Sequence, residues 1–438
     1  MDIDKVTFND LSIFNPEEEY SIFHKLNFTR TRGGRDWLVR FFSEPFKEVK
    51  RITDTQQILQ SILHKEEGWP ETISNGTIMV LERFYDTPLD TIPASYDPAS
   101  AYAYRLLHAP DYSLIRYSIG HFADFVRGFY QLISLFSGDD IPASLQQYIR
   151  RAEGLLENDL IRKLGNTKPG VRFNVTQTIY YGHFLLYRFK NTTLELINIY
   201  SRLDAWYSMA MATKKFHLVI PQFVDSDQPY VEASELYHLL LPTPVSYNVT
   251  LDPQNNFLFL TGANMAGKST FIKAVGAAVY LAHIGMGVPA NGMKLTLFHG
   301  ILSNINVVDN IVKGESYFFN EVQRIKNTIL KINDSRKWLV LIDELFKGTN
   351  VQDAMKCSLT VIKGLIKIKN SLFILSTHLY EIGEDLRTYP NISFRYFETN
   401  VKDDQLDFSY QLKDGISNDR LGYLILRREK VVDLLENI

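Results

Sequence analysis

Apolar residues return every three or four positions through most of the first two hundred residues, the period of a helix that buries one face. From Leu11 to about Met211 this pattern predicts a mostly helical region. One stretch is explicit: Leu145, Ile149, Ala152, Leu156 and Leu160 fall on one face, behind Ser144 and Gln147, which read as a capping box. After about Thr213 the period changes. Short apolar runs now alternate with helical stretches, as expected of a sheet covered by helices. The runs are Phe257-Leu258-Phe259-Leu260, Trp338-Leu339-Val340-Leu341-Ile342 and Leu372-Phe373-Ile374-Leu375, and each ends in a polar segment. Ligands of open α/β sheets sit beyond the carboxyl ends of the strands, so the three endings predict one site assembled from distant parts of the chain. Phe394 to Glu398 and Phe408 to Leu412 flank Lys402-Asp403-Asp404 and predict a hairpin.

At 438 residues the chain is too long for one ordinary core, and roughly 150 residues per domain suggests two or three domains. Hydrophobic residues at 45% and charged residues at 22% argue against long disordered tails. The formal net charge of -3 means that any nucleic-acid contact must come from a local basic patch. The single cysteine, Cys357, can form neither an internal disulfide nor a multi-cysteine zinc site, which suits a reducing compartment. Met1-Asp2-Ile3-Asp4-Lys5 is charged where a secretory signal would be apolar, and the apolar stretch Ala274 to Met293 is interrupted by His283, several glycines and Pro289. A cytoplasmic protein with no membrane partner is therefore expected. Tyr180, Tyr181, Phe184, Tyr187 and Phe189 could stack on bases, but core packing is the better reading.

The strand endings carry the chemistry. Gly262-Ala263-Asn264-Met265-Ala266-Gly267-Lys268-Ser269, followed by the helical run from Thr270, fits a phosphate loop between a strand and a helix. Its glycines let backbone amides turn toward phosphates, Lys268 reaches the β and γ oxygens, and the Ser269 hydroxyl can ligate Mg2+. The dipole of the helix behind the loop adds to this. Asp343-Glu344 ends the second run, with Asp343 suited to the Mg2+ shell and Glu344 to polarising an attacking water. Thr377-His378 ends the third, where His378 can donate to a γ-phosphate, whereas His24, His64, His108 and His217 read as structural or merely exposed. Between the phosphate loop and Asp343 lies Lys313-Gly314-Glu315-Ser316-Tyr317-Phe318-Phe319-Asn320-Glu321, a serine-led helix start. The order of phosphate loop, serine-led helix, Asp-Glu pair and strand-end His is that of ABC-type ATPases, in which the serine completes the nucleotide site of a partner subunit.

Thr261 to Thr270, then Leu281-Ala282-His283-Ile284-Gly285-Met286-Gly287-Val288-Pro289-Ala290, resembles the ATPase domain of the DNA mismatch-repair MutS family, and so does Asp343-Glu344-Leu345-Phe346-Lys347-Gly348-Thr349-Asn350. The likeness runs from about Leu236 to Glu429. A weaker one covers Phe28-Thr29-Arg30-Thr31-Arg32-Gly33-Gly34-Arg35-Asp36-Trp37-Leu38, similar to the start of the family's helical core, and Asp204-Ala205, similar to the entry of its ATPase domain. The resemblance implies a multidomain protein: a mostly α-helical core and lever over residues 1–212, then an α/β ABC-type phosphate-loop ATPase over residues 213–438. It implies ATP and Mg2+ as cofactors, Ser316 serving the partner's nucleotide in a homodimer, and ATP-driven switching on DNA in mismatch repair or recombination. A sister branch of the family makes an RNA- or ribosome-associated ATPase the alternative. A metabolic kinase lacks a small-substrate motif here, and GTP use lacks an Asn-Lys-x-Asp segment.

Departures limit what carries over. No mismatch-reading domain, connector or following nuclease module is expected, and the interval from Pro110 to Tyr200 is short for the family's DNA clamp. Phe42-Ser43-Glu44 spells the Phe-x-Glu mismatch wedge but lies inside the lever-like stretch, where it reads as a coincidence. DNA binding is accordingly expected to be weak and indifferent to mismatches. Phe346 and Lys347 stand where the family has Gly-Arg, Tyr317 where it has Thr, and Ala354 where it has Gly.

Overall fold

Every residue of Phe257–Thr261 is buried, as a strand hydrogen-bonded on both edges and covered on both faces must be. This computed structural model describes residues 1–94, 96–138, 140–306, 317–402, 405–417, 430, 431 and 434. Its strands, in chain order, are β1 (Asp2–Ile3), β2 (Gln222–Phe223), β3 (Val231–Leu236), β4 (Tyr247–Leu251), β5 (Phe257–Thr261), β6 (Gly292–Leu295), β7 (Gly300–Asn304), β8 (Trp338–Asp343), β9 (Ser371–Ser376), β10 (Ile392–Lys402) and β11 (Gln405–Asp414). The larger sheet has the order β1-β7-β8-β9-β5-β10-β11, and the smaller one β2-β6-β3-β4. In the larger sheet all pairs from β1 to β10 are parallel. Within that sheet only β10 and β11 pair antiparallel, and they form the hairpin that the sequence pattern predicts.

The three apolar runs are β5, β8 and β9, which lie side by side. Because they are parallel, their carboxyl ends fall together at one edge of the sheet. No helix among the described residues is long and apolar enough to cross a membrane.

Two compact units make up the chain: residues 1–25, 44–53 and 215–438 in one, residues 26–43 and 54–214 in the other. The first of these units therefore takes in amino-terminal residues as well as those after 212. The causes are local. β1 pairs with β7, and the buried Asp10 accepts hydrogen bonds from Ser303 Oγ at 2.5 Å and Ile305 N and Arg324 Nη2 at 3.1 Å each. The edge of Phe8 also meets the Tyr280 ring, centroids 5.6 Å apart.

The other unit is helical among its described residues, with helices such as Asn75–Asp86, Ala109–Leu135 and Val175–Tyr187. The capping box expected at Ser144 and Gln147 is not formed. Pro142 is the N-cap, its ring presetting the turn, and Ser144 lies inside the helix Ala143–Leu155. The apolar face read through Leu160 is also broken, because Asn158 accepts from Leu160 N and Ile161 N and starts a new helix, Asp159–Gly165. A capping box does occur at Asn174 and Gln177, before Val175–Tyr187. Tyr181, Phe184 and Phe189 are core residues, whereas Tyr187 is exposed. Phe42 is wholly buried and cannot act as a wedge.

One buried carboxylate organises this unit. Asp204, inside the helix Lys190–Lys215, accepts from Arg30 N at 3.0 Å, Thr31 N at 2.9 Å and Thr31 Oγ1 at 2.7 Å. It satisfies amides just ahead of the helix Arg32–Ser43, which would otherwise be orphaned. A Cβ on Gly34 would lie 2.0 Å from Asp204 Oδ2, so only glycine admits the carboxylate there. Burial raises Asp204 from its ordinary 3.8 to about 6, which favours the neutral form in the folded chain. Its stability contribution is thus fully present below 3.8 and lost as pH rises through about 6. Asp204→Ala should cost about 3 kcal/mol by stranding buried donors. The gap to the parent, measured by urea unfolding with circular dichroism, should narrow between pH 4 and 6; a gap of constant size would refute the shifted titration.

Candidate functional site

The carboxyl ends of β5, β8 and β9 open on a cleft of about 650 Å3 lined by Gly262, Asn264, Glu344, Lys347 and His378, among others. Gly262 and Gly267 have φ of 134° and 108°, conformations that side chains resist, and the loop between them leads straight into the helix Lys268–His283. Ala263 and Ala266 are buried, whereas Asn264 and Met265 face solvent. The amides of Asn264, Met265 and Gly267 have no partner among the described residues. Lys268 is buried, its Nζ 2.7 Å from Gly262 O and 2.9 Å from Ala263 O, and burial lowers its pKa.

Ser269 Oγ donates to Asp343 Oδ2 at 2.5 Å, and Ser376 Oγ donates to Asp343 Oδ1. Thr270 is half-buried in the first turn of the helix. Glu344 follows Asp343 at φ 60°, a backbone conformation costly outside glycine. His378 Nδ1 lies 3.8 Å from Glu344 Oε1 and Lys347 Nζ 3.1 Å from Glu344 Oε2. The His378 ring is the largest influence holding the Glu344 carboxyl at about 2, Lys347 adds to it, and burial opposes both. At 3.8 Å the ring and the carboxylate are too far apart for a hydrogen bond.

These groups suit a polyphosphate accompanied by a hard divalent cation. Open amides and a buried ammonium can donate to phosphate oxygens, and a hydroxyl and a carboxylate within hydrogen-bond distance offer oxygen ligands. The loop residues Gly262 to Thr270, Asp343, Glu344 and His378 are brought together; Ser316 lies outside the described residues.

Sequence reading missed three supports. Ser376 was hidden as the last residue of an apolar strand. Thr261 Oγ1 accepts from Ser417 N at 2.9 Å, a long-range bond without a sequence signal. Glu321, buried in the helix Tyr317–Ile332, accepts from Lys347 N at 3.1 Å and Gly348 N at 3.2 Å. It ties that helix to the loop after Glu344, and a Cβ on Gly348 would come within 2.7 Å of Phe318 N. The departure at Phe346 has a visible consequence: it sits at φ 61°, where glycine is at ease, while its ring is buried 5.6 Å from Phe318.

Residues 258–432 match the family model described as MutS domain V. The chain is 28% identical over 235 residues to the DNA mismatch repair protein msh3 of Aspergillus fumigatus, covering 51% of this chain and 21% of that protein. It is 26% identical over 245 residues to the DNA mismatch repair protein MutS of Staphylococcus haemolyticus, with 55% and 27% covered. It is 28% identical over 246 residues to the human MutS protein homolog 4, with 54% and 26% covered. The matched part is thus only about a quarter of the length of these relatives.

Removing the ring that depresses Glu344 should release it. In His378→Ala the Glu344 carboxyl should titrate closer to its ordinary 4.5, followed by 13C-carboxyl resonances. An unmoved midpoint would assign the depression to Lys347 alone.

Proposed function

The chain belongs to the MutS family, and on that premise we propose that it binds and hydrolyses ATP with Mg2+ and couples hydrolysis to conformational switching on DNA. The observation that carries this reading is the convergence of Lys268, Ser269, Asp343, Glu344 and His378 at the ends of three adjacent parallel strands. Lys268 exchanges its two carbonyl partners for β and γ phosphate oxygens, and the loop amides take the remaining ones. Ser269 and Asp343 hold the cation. Mg2+ when bound neutralises charge on the phosphates.

Glu344 orients the attacking water. A carboxyl at about 2 is a weak proton acceptor, so its charge and placement do more than its basicity. His378, exposed at the cleft mouth, donates to the γ-phosphate. Ser316 completes the site of a second copy, making the active form a homodimer.

Lys268→Ala should abolish ATP turnover, and Glu344→Gln should keep ATP while losing turnover by roughly 10² to 10⁴. Normal hydrolysis by the first, or failure of the second to bind nucleotide in filter assays, would refute the assignment. Mixing Lys268→Ala with Ser316→Arg subunits should restore partial activity, because one arrangement of the mixed dimer puts both lesions in one site. Silence under demonstrated subunit exchange would exclude the shared site.

DNA contacts on this reading go to phosphates. Affinity should be about 10⁻⁴ to 10⁻⁶ M at physiological salt, fall steeply as salt rises, and ignore a single mismatch. Titrating homoduplex, mismatched and four-way-junction DNA at two salt concentrations tests this. A mismatch preference above about tenfold would establish base readout instead. Ribosomal RNA co-purifying with Glu344→Gln in place of DNA would move the function to RNA.

A further inference from the structure

The helical unit of residues 26–43 and 54–214 holds a second large cleft, of about 750 Å3, within the range of small-molecule sites. Its walls come from the helix Ala109–Leu135, the end of Pro98–Leu107 and the segment from Lys168 to Val175. Five cations line it, Arg105, Arg116, Arg127, Lys168 and Arg172, against one carboxylate among the described residues, Asp124. The chain as a whole carries 47 basic and 50 acidic residues, so this cleft runs against the average.

The cations divide by role. Arg127 is committed: it pairs with Asp124 and donates to Thr167 O at 3.0 Å, which fastens the following segment to the long helix. Arg105 lies over the Tyr112 ring at 5.4 Å. The side chains of Arg116, Lys168 and Arg172 are exposed and make no ion pair or hydrogen bond among the described residues. Like charges gathered without counter-charge repel, and a concave wall concentrates their field on an incoming anion. The start of Val175–Tyr187, beside Arg172, adds the positive end of a helix dipole.

The cleft is equally marked by rings. Tyr102 and Tyr117 are 57% and 60% exposed at its wall, and the Tyr117 ring stands edge-on to His121 at 4.7 Å. His121 Nδ1 is shielded from water with no partner among the described residues. Uncommitted guanidinium groups beside exposed rings form a surface that takes a phosphate and a flat heterocycle together.

We propose that this cleft binds a nucleoside phosphate, either free or as one unit of a single strand, independently of the ATPase site. Phosphate oxygens meet Arg116, Lys168 and Arg172, and the base stacks against Tyr117.

The test is equilibrium binding to the full chain of thymidine 5'-monophosphate, a ten-residue thymidine oligonucleotide, inorganic phosphate and duplex DNA. Binding of the mononucleotide should survive Lys268→Ala and weaken at least tenfold in Arg116→Glu/Arg172→Glu, while ATP turnover by the latter stays at the parent level. Tyr117→Ala should weaken the mononucleotide and leave inorganic phosphate unchanged. Tighter oligonucleotide binding that competes with the mononucleotide identifies a strand as the source, and mononucleotide binding alone identifies a free nucleotide; both support the proposal. It is overturned if Lys268→Ala removes binding, if inorganic phosphate binds as tightly as the mononucleotide, if only duplex binds, or if no probe binds. Because Lys268→Ala separates the two sites, this outcome stands or falls apart from the ATPase reading.

Discussion

Asp343 closes β8 with each oxygen held by a hydroxyl from a different element, Ser269 from the helix behind the glycine loop and Ser376 from the end of β9. A carboxylate buried at this depth without such donors would cost several kcal/mol. The two bonds therefore join three segments far apart in sequence, and they do so where the strands end. The rest of the site follows. Lys268 precedes Ser269 by one residue, Glu344 follows Asp343, and His378 lies two residues beyond Ser376, so locating Asp343 locates Lys268, Glu344 and His378 as well.

The clamp works because the strands are parallel and adjacent. In the order β8-β9-β5 all carboxyl ends face one edge, and β7 and β10 cover the outer sides so that the middle strands can be apolar throughout. Such a sheet tolerates no register slip without exposing its core, which gives the polar endings a rigid platform. Strain is concentrated just past it, at the φ of 60° and 61° of Glu344 and Phe346. Glu321 holds this strained loop by accepting the amides of Lys347 and Gly348, so the helix Tyr317–Ile332 and the Glu344 loop are mechanically one element. A change at either reaches the other through two hydrogen bonds.

The helical unit is organised in a comparable way by Asp204, another carboxylate satisfied by donors distant in sequence. In both units a buried acid and a glycine that makes room fix the junction between elements. Phe42 illustrates the opposite case. Its Phe-x-Glu spelling suggests a wedge, yet helical packing puts the ring wholly inside.

The chain's own text was sufficient for β5, β8 and β9 and for placing the glycine loop, Asp343, Glu344 and His378 at their carboxyl ends, because uninterrupted apolar runs and the polar character of their endings are local signals. The β10–β11 hairpin was legible for the same reason. The break at Asn158 and the capping box at Asn174 were not, since competing caps differ by about 1 kcal/mol and packing selects among them. Nor could local pattern reveal that residues 1–25 complete the sheet-bearing unit, that Ser376 and Glu321 hold the site, or that Arg116 and Arg172 share a cleft. Those facts depend on contacts between residues tens to hundreds of positions apart. Only closure of the chain brings such groups within hydrogen-bond or Coulomb range, and so only the tertiary structure decides them.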